Sequence, residues 1–194
     1  MACTALTKGR GLDCNRVSGG VKYIYFGVYD QFTDPIDGTG ILVVNSEITD
    51  IEMGVGTGLK RYTVPRGSTT ISDTITGSTE NGTLFYTPTV NMVLNRLTKE
   101  DQNEIKLLGQ TQVVIFAQLN ATLANGHDVI VGMGVTNAMS LNAGTAESGA
   151  GFGDRNGYTL TFDGLEADPM PMVADYTNNP FDNAAFTNVS IDPS

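Results

Sequence analysis

At 194 residues, the chain is long enough for one domain with arms or for one large all-β domain. Only 16% of the residues are charged, glycine is abundant at 23 and tryptophan is absent, a composition typical of a β-rich fold with many turns. The net charge of −10 argues against a protein that binds nucleic acids through their backbone phosphates, and it favours a surface that repels polyanions.

The two ends of the chain differ in charge. Residues 1–20 show little hydrophobic periodicity and are predicted to form an N-terminal arm. The first 22 residues hold a single acid, Asp13, and four basic residues: Lys8, Arg10, Arg16 and Lys22. After Arg155 the chain has acidic residues and no Lys or Arg. A basic head and an acidic tail would attract each other between neighbouring copies, although a simply solvated acidic tail explains the same residues.

Cys3 and Cys14 are the only cysteines, which is too few for a disulfide framework. The chain starts with polar residues instead of the apolar stretch of a signal peptide, and no apolar run approaches the length of a membrane span. The sequence therefore predicts a protein made in a cytoplasm, with no membrane partner.

Residues 21–168 are predicted to form a β-sandwich domain. The first strand, Val21 to Tyr29, carries bulky side chains on both faces, so we expect burial or a contact on each side. Two shorter strands are predicted from Ile41 to Val44 and from Ile48 to Met53.

A glycine-rich insertion is predicted at about residues 54–82. Within it, Leu59 to Val64 and Thr69 to Ile75 are strand candidates that flank Pro65-Arg66-Gly67. This pattern predicts a hairpin lying off the main body, with a flexible loop as the alternative.

The most regular strand signal follows, between Thr83 and Asn95. Apolar residues at even positions are Leu84, Tyr86, Val90, Met92 and Leu94, and polar residues at odd positions are Thr83, Thr87, Thr89, Asn91 and Asn95. This period of two indicates a strand with one apolar and one polar face. Pro88 lies inside this run and favours a strand that is bent or at a sheet edge.

One short α-helix is predicted at about residues 98–108. Thr98 supplies a capping hydroxyl, Glu100 and Asp101 place acids in the first turn, and Gly109 ends the helix. This flanking helix is the only one that the sequence predicts.

Further strands are predicted after the helix. An apolar run from Gln112 to Gln118, a turn at Asn125-Gly126 and a run from Asp128 to Val135 indicate a β-hairpin. Residues Asn142 to Gly153 are small and are predicted to be mobile, and Tyr158 to Asp163 is the last predicted strand.

Residues 169–194 are predicted to form an extended C-terminal arm without regular structure. Tyr176, Phe181 and Phe186 are spaced along it and are interpreted as anchors for another surface, with folding back on their own domain as the alternative. Together with Lys8, Arg10 and Arg16 they are the predicted assembly residues. Removal of Tyr176 to Ser194 is accordingly predicted to leave a folded domain that no longer builds long assemblies.

No catalytic residue, cofactor site or metal site is predicted, and the protein is not expected to be an enzyme. The Gly54 to Gly58 run lacks the capped helix and the Lys-Ser/Thr pair of a nucleotide loop. His127 is the single histidine, without a second imidazole or a cysteine cluster, and is predicted to be a solvent-facing turn residue.

A run of features from Gly82 onward carries a family resemblance. The alternating strand, the capped helix and the next two strands are followed by a small-residue loop with Gly151-Phe152-Gly153-Asp154 and by the segment Asn156 to Glu166. This order resembles that of the tail tube (major tail) proteins of long-tailed bacteriophages. Residues 54–82 and the tail after Pro169 lie outside the resemblance.

The resemblance implies a β-sandwich with a flanking helix, no cofactor and no reaction. Such tube proteins assemble as six-fold rings whose sheets join into a continuous inner barrel, and the rings stack. The implied partners are further copies of the chain, other phage tail proteins, and DNA that passes without specific binding. The implied location is the tail of the virion, after synthesis in the host cytoplasm. An acidic wall that repels phosphates fits such a channel.

Other interpretations remain open from the sequence. A tail terminator, a head–tail connector or a capsid decoration protein would share the same general pattern. A carbohydrate-binding sandwich would be expected to expose flat aromatic side chains, and tryptophan is absent. A hydrolase on a β scaffold lacks candidate residues, since Ser140 and Ser148 have no activating base nearby in the sequence.

Overall fold

A computed structural model describes residues 9–10, 17–32 and 40–192. The fold is mainly β and sandwich-like, with one short α-helix, as the sequence predicts. The elements in chain order are β1 (Val21–Val28), β2 (Ile41–Val44), β3 (Glu47–Ile51), β4 (Leu59–Thr63), β5 (Thr70–Ser78), β6 (Thr83–Asn95), α1 (Lys99–Leu108), β7 (Val113–Thr122), β8 (Asp128–Met133), β9 (Met139–Glu147), β10 (Gly157–Gly164), β11 (Met172–Val173) and β12 (Ile191–Asp192).

The first layer, which we call the outer sheet, has the strand order β5-β6-β10-β9 and is antiparallel throughout. Even-numbered residues of β6 and β10 point into the first core, as Val90, Met92, Leu160 and Phe162 show by their burial. The odd-numbered residues therefore point to the opposite face, since side chains alternate along a strand. A contact between Val113 and Met139 joins this sheet to the next layer.

The second layer, the central sheet, has the strand order β4-β1-β7-β8 and is buried on both faces. Ile24 and Ile115 pack in the first core, against the outer sheet. Tyr25 and Phe116, one residue further along each strand, pack in a second core on the other side. The prediction that β1 makes contacts on both faces is therefore confirmed.

The second core is closed by β2, β3 and the C-terminal segment, residues 169–192. β11 pairs with both β3 and β8, and β12 pairs with β4. β3 approaches the central sheet closely, because a Cβ added at Gly132 would lie 2.6 Å from Cδ1 of Ile48. Glycine at this position lets the two layers pack at that distance.

The structure corrects the interpretation of residues 169–192 as an extended arm. Phe181 is 4% exposed, and its ring packs edge-on against Phe116, with 5.2 Å between the ring centroids, and against Tyr25, at 5.1 Å. Val173 is buried beside them. The segment has little regular structure because its proline, asparagine and aspartate residues break strands, but its spaced apolar residues still fill a core.

The predicted hairpin within residues 54–82 is also wrong. β4 does not pair with β5: it pairs with β1 and β12, and Leu59 is fully buried in the second core. β5 instead pairs with β6 over its whole length. The two strand candidates were correct, but sequence proximity assigned them the wrong partners.

Pro88 does not place β6 at an edge. β6 lies between β5 and β10, but its pairing with β10 runs from Asn95 only to Thr89. Pro88 comes just beyond that ladder, so its missing N–H breaks no hydrogen bond there. The edge position belongs to β5.

The helix forms where the sequence predicts it. The side-chain oxygen of Thr98 accepts the backbone N–H of Asp101 at 3.0 Å, and Gly109 follows the last turn. Leu97, Ile105 and Leu108 pack against the first core. Residues 142–153, predicted to be mobile, include most of β9, which forms because it pairs with β10.

The predicted N-terminal arm is described only at Gly9, Arg10 and residues 17–20, which are exposed and lie outside helices and strands. Lys8 and Arg16 lie outside the described residues. In the described ranges, no helix has the length and apolar character needed to cross a membrane.

Candidate assembly surfaces

The outer sheet has a long free edge at β5. β5 has nine residues and pairs with β6 on one side only. Free edges are normally protected by Lys, Pro or a bulge, since they invite pairing with another chain. β5 has no Lys, Pro or bulge; its single charged residue, Asp73, is on the side that faces the core and accepts the backbone N–H of Met170 at 3.2 Å. An edge of this kind is suited to accept a further strand.

Backbone hydrogen bonds show which groups of β5 face outward. Tyr86 of β6 donates its N–H to the carbonyl of Glu166 at 2.8 Å and accepts the N–H of Glu166 at 2.9 Å. Because the backbone groups of Tyr86 point away from β5, those of its cross-strand partner Ile75 point away from β6. The same alternation places the N–H and C=O of Asp73 and Gly77 on the free edge.

The opposite edge of the outer sheet, at β9, is also largely free. Arg96 donates its N–H to Asn156 at 2.6 Å, so the paired residues Leu94 and Tyr158 exchange hydrogen bonds between β6 and β10. Ala146 pairs with Tyr158 from the other side, and its backbone groups must therefore point away from β10. Beyond the single contact at Met139, no described strand covers this edge.

The two free edges run in opposite directions. Three antiparallel pairings separate β5 from β9, so β5 and β9 are antiparallel to each other. If β9 of one copy lay beside β5 of the next, the contact would continue the antiparallel alternation of the sheet. Such a contact is heterologous, and its repetition generates a ring if the rotation between copies closes and an open filament if it does not.

The face of the outer sheet that points away from the core is rich in hydroxyl and amide groups. Phe85 and Val93 lie on this face, and its polar residues include Thr70, Ser72, Thr74, Thr76, Thr87, Thr89, Asn91, Thr145, Thr159 and Thr161. The hydroxyl of Thr161 donates to the side-chain oxygen of Asn91 at 2.8 Å across β10 and β6. The face thus carries short polar side chains that are partly paired with one another.

Few charges lie on this face. Asp163 accepts a hydrogen bond from the Asn142 amide, and Glu147 forms an ion pair with Arg155 at 3.2 Å. Arg155 also donates to the hydroxyl of Thr159 at 2.6 Å. The face therefore holds two acids and one base, and it offers no cluster of free cations for phosphate.

The β5–β6 hairpin extends beyond the core. Ile75 is 65% exposed and Leu84 is 57% exposed, although both are on the side of the hairpin that faces the core nearer its base. Exposed apolar side chains on a regular hairpin are typical of a surface that another chain covers.

The predicted aromatic anchors lie against their own protomer. Phe181 is in the second core, and Phe186 packs at the margin of that core. Tyr176 accepts the backbone N–H of Asp128 at 3.0 Å through its hydroxyl. The prediction that these residues are assembly anchors is therefore wrong for Phe181, whose burial leaves no surface for a neighbour, and the structure gives Tyr176 and Phe186 intramolecular contacts.

The basic head and the acidic tail also make contacts within the protomer. Lys22 lies 2.6 Å from Asp128, and Lys60 lies 2.6 Å from Asp192 of the tail. Arg10 is exposed, while Lys8 and Arg16 fall outside the described ranges.

His127 belongs to a cluster that the sequence analysis missed. Its ring stacks on Tyr176, with 4.5 Å between centroids, and its Nδ1 lies 2.7 Å from Oδ1 of Asp175. The hydrogen bond with His127 lowers the pKa of Asp175, and one with Asn125 adds to the effect. The side chain of His127 is 29% exposed, so the prediction of a surface residue beside a turn stands, but its contacts with Asp175 and Tyr176 were not predicted. The sequence pattern around His127 gave no indication of its contacts with Asp175 and Tyr176.

No metal site appears in the part of the chain that the structure describes, where no three His, Cys, Asp or Glu side chains are arranged to hold an ion. Comparisons of the chain with protein-family models, with curated proteins and with solved structures found no match.

Proposed function

We propose that the chain is a structural protein that self-assembles into closed rings by joining the outer sheets of neighbouring copies, and that these rings stack into a phage tail tube. The observation that carries this proposal is the outer sheet with two free, oppositely directed edges. The six-fold symmetry of the ring and its location in the phage tail are taken from the resemblance to tail tube proteins.

The geometry of the edges supports ring closure over a dimer. A two-fold dimer would pair β5 with β5 or β9 with β9 and leave two edges open. A β5–β9 contact leaves none open once the ring closes, and closure is the way in which barrels remove the hazard of free edges. The lack of Lys and Pro along β5, whose single charge is Asp73, fits this arrangement.

The hydroxyl-rich face would line the channel of such a ring. Its short Thr, Ser and Asn side chains leave the lumen open, and the acids Asp163 and Glu147 outnumber Arg155. With a net charge of −10 on each copy, an assembled wall would repel a polyanion. DNA would then pass without specific binding.

Electron microscopy of the purified protein in negative stain tests the proposal. We expect rings or tubes at high protein concentration. Duplex DNA mixed with these assemblies at low salt should give no binding signal above that of a control without protein. A monodisperse monomer at every concentration would contradict the proposal and would favour a carbohydrate-binding or decoration role. Single rings that never stack would favour a tail terminator or a connector.

A further inference from the structure

A second surface, beside β4, also has an unpaired strand edge. A groove of about 770 Å³ lies between β4 and α1. β12 pairs with β4 only at Leu59 and Lys60, so the following residues of β4 have no described partner on that side. The groove is lined by residues 60–65 and therefore runs along this uncovered stretch.

The free backbone groups along the groove can be assigned. Leu59 donates its N–H to the carbonyl of Ser190 at 2.8 Å, on the side of β12. By alternation, Arg61 and Thr63 direct their N–H and C=O groups to the same side, where no described strand receives them. An extended peptide in the groove could pair with these groups by strand addition.

The wall opposite β4 is acidic. Glu100, Asp101 and Glu104 line the groove from α1, and none of them forms an ion pair within the described residues. Tyr62 lines the same groove; burial raises its pKa to about 12, and the charges of Glu104 and Asp101 add to the effect.

The two cations of the groove are already engaged. Lys60 is paired with Asp192, and the guanidinium of Arg61 lies 5.1 Å from the ring centroid of Tyr23. The groove therefore has an excess of negative charge. It continues into a smaller cavity of about 260 Å³ with apolar residues on its walls: Phe26, Val28, Leu107, Leu108 and Val113.

We propose that this groove binds the basic N-terminal segment, residues 1–16, of a second copy of the chain, added as an extended strand beside β4. Lys8, Arg10 and Arg16 match the acids of α1, and Leu6 and Leu12 match the apolar cavity. The proposal rests on the proposed self-assembly, which brings a second copy alongside.

A second copy is favoured over the same copy by the described parts of the segment. Arg10 is exposed, Val17 is 67% exposed, and neither lines the groove. A side chain added at Gly9 would have no atom within 4 Å. These residues therefore make no contact with the groove of their own protomer.

Disulfide trapping tests the proposal, because the only native cysteines are Cys3 and Cys14. A cysteine is placed in the groove by Thr63→Cys, once with Cys3→Ser and once with Cys14→Ser, so that each variant has one thiol in the segment. The matched control is Thr76→Cys on β5, which is exposed, pairs with Phe85 and does not line the groove. After mild oxidation, non-reducing gels and mass spectrometry identify the linked residues.

We expect linked dimers and higher species with Thr63→Cys in at least one of the two backgrounds, and little linkage with Thr76→Cys. Glu100→Lys combined with Glu104→Lys should lower the yield roughly tenfold, as the loss of two exposed ion pairs implies, while Glu80→Lys should not. Equal yields for the groove and control cysteines, or a disulfide formed only within one chain, would overturn the proposal.

Electron microscopy of the same samples separates this proposal from the proposed function. Rings or tubes without linkage through Thr63→Cys would overturn the docking of the segment and leave the tube function standing. Linked chains without rings would support the docking and contradict the tube function.

Discussion

The C-terminal segment and the β5–β6 hairpin reverse the usual link between regular structure and burial. Residues 169–192 contain only two strands of two residues each, yet Phe181 lies in the centre of the second core. The hairpin is among the most regular parts of the molecule, yet Ile75 and Leu84 face solvent. The two strands of the hairpin pair with each other along the whole of β5, so the hairpin can project beyond the core. The irregular segment has few ladder hydrogen bonds and depends more on the packing of its apolar side chains.

The comparison predicts that the irregular segment contributes more to stability. Phe181→Ala should lower the free energy of unfolding by about 3–5 kcal/mol, because it leaves a cavity between Phe116 and Tyr25. Urea denaturation followed by circular dichroism measures the loss. Ile75→Ala is the matched control on the hairpin and should change stability by no more than about 0.5 kcal/mol. Equal effects of the two substitutions would contradict the comparison.

Removal of residues 176–194 should prevent folding, whereas the sequence predicts that the truncated domain stays folded. The truncated chain loses Phe181, Phe186 and the β12 strand, so the second core is open to water. We expect an insoluble or unfolded product by circular dichroism. A truncated protein that remains folded and soluble would restore the interpretation of this segment as a detachable arm.

An intermediate effect is expected for a single hydrogen bond in a regular element. Thr98→Ala removes the acceptor for the N–H of Asp101 and should cost about 1 kcal/mol of stability. The same denaturation experiment measures it, with Thr111→Ala as a control outside the helix. An unchanged midpoint would mean that the hydroxyl does not stabilise the helix start.

A smaller, pH-dependent effect should come from the C-terminal segment. The pKa of Asp175 is lowered in the folded protein, mainly by the hydrogen bond with His127, so ionised Asp175 favours folding. This contribution is complete above the unfolded pKa of about 3.9 and is lost as the pH falls through the lower folded value. Below about pH 4 the wild type should lose more stability than Asp175→Asn does. Parallel profiles for the two proteins would contradict the assignment.

Local patterns were sufficient for much of the fold. The Thr98 cap with its following acids located α1, and the alternation between Thr83 and Asn95 located β6. Both signals are carried by neighbouring residues. The same is true of the β7–β8 turn at Asn125-Gly126, where Gly126 adopts a φ of 89°.

Partners that are distant in sequence could not be predicted in the same way. The pairing of β4 with β1 and the contact of Asp175 with His127 depend on chain reversal through many intervening residues. Strand β9 was missed because Ala143, Gly144 and Ala146 have low strand propensity, and its pairing with β10 supplies the stabilisation instead. Long-range pairings also decide which strands lie at the free edges of the outer sheet. The candidate assembly surface therefore could not be predicted from patterns among neighbouring residues.

The most direct test of ring formation uses the free edge of β5. Ile75→Pro removes an N–H that points away from β6, so the β5–β6 ladder should persist while pairing with a neighbouring copy is blocked. Ile75→Thr keeps that N–H and is the matched control. Electron microscopy of the two variants, with circular dichroism to confirm folding, should show rings or tubes for Ile75→Thr and none for Ile75→Pro. Normal rings formed by folded Ile75→Pro would contradict edge-to-edge assembly through β5.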